Sequence, residues 1–102
     1  NYDVILCPTS ITPAFKHNHE PVHERKLSIN GNDQEYLRAT LWAGPAVISG
    51  LPSTNVPIGL SSNGLPIGMQ ITGPYLEDKT CLEVAKLVRD LRGEFKIPPN
   101  FK

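Results

Sequence analysis

Cysteine, net charge and long apolar runs are all scarce in this sequence, and each scarcity removes a class of function. Cysteine occurs only as Cys7 and Cys81. The pair has no metal-ligand spacing and is too sparse for a disulfide framework. Both read as buried thiols of a reducing compartment, so the expected location is cytoplasmic. Ten basic residues cancel ten acidic ones. Without a basic stripe no nucleic-acid partner is expected, and without an acidic tail no basic one. No apolar stretch nears the roughly 20 residues of a membrane span, and no signal-peptide pattern stands at the start. No membrane association is therefore expected. The glycines form no phosphate- or dinucleotide-binding loop, and no serine sits in a G-x-S-x-G elbow.

One catalytic pattern does occur. His19-Glu20-Pro21-Val22-His23 fits H-E-x-x-H, the zinc-protease signature. That motif works only on a helix, where both histidines share a face and the glutamate polarises a water. Pro21 between them would cost such a helix about 3 kcal/mol. Val22 is the sole apolar residue other than proline in the stretch 16–26, so no stripe exists to dock a helix. No third ligand is evident. The segment reads as a solvated polar loop, and neither a metal nor another cofactor is expected.

What the chain does contain is the pattern of a small α/β unit. Its 102 residues suffice for one domain. Asp3-Val4-Ile5-Leu6-Cys7 reads as a strand buried on both faces, as in parallel sheets covered by helices. Such a sheet is hard to build from the few elements here, and the chain enters it without an initiator Met. The expectation is a piece of a larger protein. Residues 8–31 read as a long polar loop, of the kind that borders active sites. Asn32 as N-cap with Glu35 three residues on predicts a helix to Ala43, broken at Gly44-Pro45, then a short helix ending at Gly50. Residues 54–73 read as a β-hairpin turning at Asn63-Gly64, with Pro57 and Pro66 forcing an edge or a bulge. Asp78 caps a predicted helix over 78–92, with Cys81, Val84, Ala85, Val88 and Leu91 as its apolar stripe and Leu82 and Leu87 widening it. The tail 97–101 reads as extended. The order is β-α-β-β-α, and the first strand, helix and second strand suit a right-handed crossover. No self-sufficient catalytic constellation emerges from these elements.

Several segments together resemble the C-terminal region of amidase-signature enzymes. They are Gly50-Leu51-Pro52, Val56-Pro57-Ile58-Gly59, and the block Gly64-Leu65-Pro66-Ile67-Gly68-Met69-Gln70-Ile71-Thr72-Gly73, which fits G-L-P-x-G-x-Q-x-x-G. The opening Tyr2-Asp3-Val4-Ile5-Leu6-Cys7-Pro8-Thr9 is similar to the family's D-V-L-L-x-P-T strand, and Thr12-Pro13-Ala14 matches the T-P-A that follows it. The resemblance implies that residues 1–102 are the C-terminal portion of a mixed-sheet amidase-signature domain, with helices packed on the sheet. It also implies an amide substrate cleaved by a Ser–cis-Ser–Lys triad through an acyl-enzyme. The Gly/Ser-rich triad region has no counterpart in residues 1–102, so no catalytic residue is assigned. The expected partners are the N-terminal portion of the amidase and a small-molecule amide. The uncovered sheet edges of an isolated piece also give it a route to homo-oligomers.

The resemblance places Thr9, Ser10 and Thr12 at the border of the substrate channel and makes Trp42 a pocket wall. The competing structural roles are strand capping for Thr9 and Ser10 and core packing for Trp42. In the glutamine-dependent tRNA-amidotransferase branch, an acidic residue before the G-x-P holds the substrate amino group. Ala39 or Thr40 stands there in this chain, which favours a general amide hydrolase. The alternative is a stand-alone, non-catalytic interaction or binding domain derived from an amidase.

Overall fold

The computed structural model describes residues 2–93 and 95–101. It is an α/β structure with small antiparallel sheets. Its main sheet has three strands: β1 (Ile5–Pro8), then, after a separate hairpin of β2 (Lys26–Ile29) and β3 (Asn32–Glu35), β4 (Ser53–Leu60) and β5 (Pro66–Thr72). The order is β1-β5-β4, and both pairings are antiparallel. β1 and β4 therefore run parallel to one another with β5 between them. A 3-10 helix (Tyr36–Ala43), the short helix α1 (Gly44–Ser49) and the long helix α2 (Asp78–Arg92) complete the unit.

Strict alternation builds the β4–β5 hairpin. In β4, Ser53, Asn55 and Pro57 are exposed while Thr54 and Val56 are half-buried. β5, flanked on both sides, buries Gln70, Ile71 and Thr72. The prolines sit where their missing N–H does least harm. Pro66 opens β5, and Pro57 lies at a register irregularity before Gly59. The connection closes through Ser61, whose amide donates to the Leu65 carbonyl at 2.8 Å.

α2 lies across β4 and β5. Cys81 is fully buried, and Val84, Ala85 and Val88 are half-buried. Leu82, Leu87 and Leu91 are exposed, so the apolar stripe is wider than the face the sheet covers. Asp78 does not cap the helix; Glu77 is the N-cap residue, and Asp78 lies in the first turn, where its charge favours the helix dipole. At the other end Arg92 Nε donates to the Ile58 carbonyl at 3.1 Å, tying the helix to the irregular part of β4.

Four further expectations need correction. β1 is an antiparallel strand rather than a buried parallel one. Among the described residues it pairs only with β5, Ile5 is 64% exposed, and Cys7 is half-buried. The stretch 8–31 is not all loop, because it ends in β2. Asn32 and Glu35 do not cap a helix, because they belong to β3. These last two corrections have one cause: Asn30 and Gly31 adopt positive φ (52° and 78°), the signature of a two-residue hairpin turn. Helix follows only from Tyr36, and as 3-10 rather than α. The C-terminal tail ends in a single 3-10 turn, Pro99–Phe101, rather than fully extended.

The molecule is open. It exposes 8242 Å², whereas a compact monomer of its 11.2 kDa mass exposes about 5,700 Å². Its radius of gyration is 15.5 Å, against about 13 Å for a compact domain of this length. The excess area, about 2,500 Å², is roughly three times what one partner buries in a standard interface.

Candidate functional site

The polar chemistry gathers on the face of the main sheet that points away from α2. Thr9 follows β1, and its amide donates to the Gly68 carbonyl at 3.3 Å, extending the ladder by one step. Its hydroxyl then crosses β5 and donates to Asn55 Oδ1 on the far strand at 2.9 Å. The crossing exists because residue 68 is glycine. A Cβ there would stand 2.7 Å from Thr9 Oγ1, closer than real Cβ contacts come. A glycine inside a strand marks such a close approach.

Beside this crossing lies a cleft of about 360 Å³ whose lining includes Thr9, Ser10, Thr12, Pro66 and Gly68. Among the described residues no charged side chain lines it. The structure thus brings three of the expected site residues together. Ser10 Oγ accepts from the Thr12 amide at 3.5 Å. Thr12 Oγ1 is buried, with no hydrogen-bond partner among the described residues. No histidine, lysine or cysteine lines the cleft. The hydroxyls of this arrangement can orient a neutral polar group.

Trp42 is not among the residues lining this cleft. It is 37% exposed, on the 3-10 helix, so it is not a core residue. Its backbone is held by a residue that sequence reasoning passed over. Gln70 is 6% exposed. Its Nε2 donates to the Trp42 carbonyl at 3.0 Å and lies 3.4 Å from Thr72 Oγ1. Asn55, Gly68 and Gln70 were all missed as site residues. The available signal was the alternation Gly68, Gln70, Thr72 in an otherwise apolar strand, which puts glycine and polar side chains on one face.

Gly73 serves the opposite side. A Cβ there would stand 2.6 Å from Cys81 Sγ. The Gly73 amide and the Cys81 thiol both donate to the Pro52 carbonyl, at 3.1 Å and 3.6 Å. The three glycine-bearing segments of the sequence block therefore meet at real contacts.

Two other regions carry less chemistry. A cleft of about 400 Å³ between β4 and α2 has an apolar floor that includes Val56, Leu82 and Phe95 and a rim of Lys79, Glu83, Lys86 and Arg89, with no hydroxyl, thiol or imidazole among the described residues. The H-E-x-x-H segment is not helical and turns at Val22–Glu24. Among the described residues no group of three acidic, histidine or cysteine side chains could hold a metal ion.

The site is thus a three-stranded sheet with glycines at its closest contacts and a hydroxyl-lined cleft at one strand end. Comparison with known proteins gives the family. The Amidase family model matches residues 1–82, and the chain belongs to the amidase-signature family. It is 33% identical over 93 residues to the A-type subunit of glutamyl-tRNA(Gln) amidotransferase from Bartonella bacilliformis. It is 34% identical over 85 residues to the protein of the same name from Bacillus thuringiensis. These matches cover 91% and 83% of this chain but only 17% and 16% of the relatives. Among the described residues no helix is long and apolar enough to cross a membrane.

Proposed function

We propose that this chain is the C-terminal portion of a cytoplasmic amidase, hydrolysing a carboxamide C–N bond with a Ser–cis-Ser–Lys triad that lies outside residues 1–102. In this reading the piece completes the mixed sheet of the parent, borders the substrate channel with Thr9, Ser10 and Thr12, and contributes Trp42 to the pocket wall. It is not catalytic by itself. The observation that carries the reading is the uncharged, hydroxyl-lined cleft formed by family motif segments, the strand-end Thr9 and the Gly68 block. Neutral hydroxyls suit a carboxamide, which both donates and accepts hydrogen bonds. The excess surface agrees with a body covered by the remainder of the protein. No cofactor is required by this chemistry.

A second reading is that the parent belongs to an amidotransferase, which the names of the relatives favour. Ala39 and Thr40, apolar or neutral where that branch carries an acid, favour the hydrolase. One experiment decides. The longer reading frame that contains these residues is expressed, and ammonia release is followed with simple aliphatic and aromatic amides and with glutamine. Turnover of simple amides, with none by residues 1–102 alone, is expected. Turnover of glutamine alone selects the amidotransferase. Turnover by the isolated chain overturns the assignment. A longer frame that lacks the triad and binds without turnover selects the non-catalytic module.

A further inference from the structure

Gln70 stands in the buried centre of the polar face, between the Thr9 crossing and the 3-10 helix. Its strand neighbours in register are Cys7 on β1 and Asn55 on β4, and Asn55 is the residue that receives the Thr9 hydroxyl. Its own amide leaves the sheet and takes the carbonyl of Trp42. The 3-10 partner of this carbonyl would be the amide three residues on, and that residue is Pro45, which has no N–H. A 3-10 helix has poorer internal hydrogen bonds than an α-helix and holds its own geometry less firmly. Among the described residues this element buries none of its own side chains. The start of this element is tied by the Tyr36 amide to the Arg25 carbonyl at 3.3 Å and by the Phe15 ring against Tyr36, and the Gln70 amide, on a side chain 6% exposed, ties its end.

We infer that Gln70 is a positioning residue: through the Trp42 carbonyl it docks the end of the 3-10 helix on the polar face, and so sets where the Trp42 wall stands relative to the Thr9 cleft. This inference rests on the amidase reading above. Gln70 acts through Trp42 and is not itself catalytic. Its effect falls on how the acyl part of an amide is held. Small acyl groups that do not reach the wall are insensitive to it, and large apolar ones depend on it.

The test uses the full protein that carries this chain. Gln70→Met keeps the length and bulk of the side chain and removes its donors. Gln70→Asn keeps the amide but falls one methylene short, and serves if the first variant does not fold. Fluorotryptophan is incorporated, and the resonance of residue 42 is assigned by its loss in Trp42→Phe. In both Gln70 variants that resonance is expected to shift or broaden. For an amide with a bulky apolar acyl group KM is expected to rise about fivefold, the factor of one ordinary hydrogen bond, with kcat within about twofold. KM for a two-carbon amide is expected to stay unchanged. In a Trp42→Ala background the Gln70 substitution should add nothing, since both act through one wall. An unmoved resonance overturns the inference whether or not the protein hydrolyses amides. Equal losses on small and large substrates, or full additivity with Trp42→Ala, overturn it as well. If the parent protein hydrolyses no amide, the amidase reading falls first, and a shifted resonance then describes a tether without a pocket, which also overturns the inference as stated.

Discussion

Beneath α2 the main sheet presents Thr54, Val56, Met69 and Ile71, while its opposite face presents Ser53, Asn55, Gln70 and Thr72. The strands are the same and the register is the same; only the parity of the residue number within each strand differs. On the first face the close contact is Gly73 against Cys81 Sγ, a packing contact that seats a helix. On the second it is Gly68 against Thr9 Oγ1, a contact that lets a hydroxyl cross a strand. Two glycines five positions apart in one motif thus serve stability and site geometry separately. The lesson is that a motif of this kind is two interleaved patterns, one for each side of the sheet.

The largest effect should come from the α2 face. Ile71 is fully buried and lies between Leu6 and Thr54 in register. Ile71→Ala is expected to cost about 2–5 kcal/mol, read from the denaturant midpoint. Gly73→Ala is next. It forces a methyl to within 2.6 Å of Cys81 Sγ, and overpacking of this kind costs about 1–3 kcal/mol. Cys81→Ala removes the sulfur and should recover part of that loss in the double variant. If the two losses simply add, the contact is not what Gly73 is for.

The polar face should answer differently. Gly68→Ala pushes Thr9 Oγ1 off Asn55, and the lost hydrogen bond is worth about 1 kcal/mol of stability. The displaced hydroxyl also changes the cleft, so in the proposed parent amidase KM should rise about fivefold or more. The double variant with Thr9→Ala relieves the clash. The hydrogen bond stays lost without the hydroxyl, so only the strain beyond about 1 kcal/mol should return while KM does not, and recovery of KM would make Gly68 a packing residue like Gly73.

How much of this contrast was legible beforehand follows from what each element depends on. α2 and the β4–β5 hairpin announce themselves because periodicity, caps and turn residues all act locally. Asn30-Gly31 carried the same hairpin signal as Asn63-Gly64, but the polar residues of β2 and β3 hid it, and the helix start read at Asn32 competed with it. Thr9, Ser10 and Thr12 were legible as a group because they are neighbours in the chain. Asn55 was not, since its partner lies 46 residues away and only the strand register brings them together. Gln70 belonged to a recognised block, yet its role depends on a backbone carbonyl, which has no side-chain identity to read. β1 was misread because four apolar residues look alike whether a neighbour covers them here or elsewhere in a larger body.

The smallest effect is expected on the outer side of α2, and it sharpens the comparison by adding a third surface. Leu91 is 84% exposed and Leu87 63%, while Leu82, 51% exposed, borders the cleft between β4 and α2. Sequence periodicity assigned all three to the packed stripe, yet the sheet covers only Cys81, Val84, Ala85 and Val88. In residues 1–102 alone, Leu91→Ser should change stability by less than about 0.5 kcal/mol, because it removes no contact with the sheet. If the chain is part of a longer protein, as proposed, any part of the about 2,500 Å² of excess surface covered on this side would make the same substitution costly there. The difference between the two measurements therefore reports coverage directly. A loss that stays small in both forms means α2 faces solvent in the parent, and the excess surface must be covered on the β1 edge and the polar face, where the substrate site is proposed.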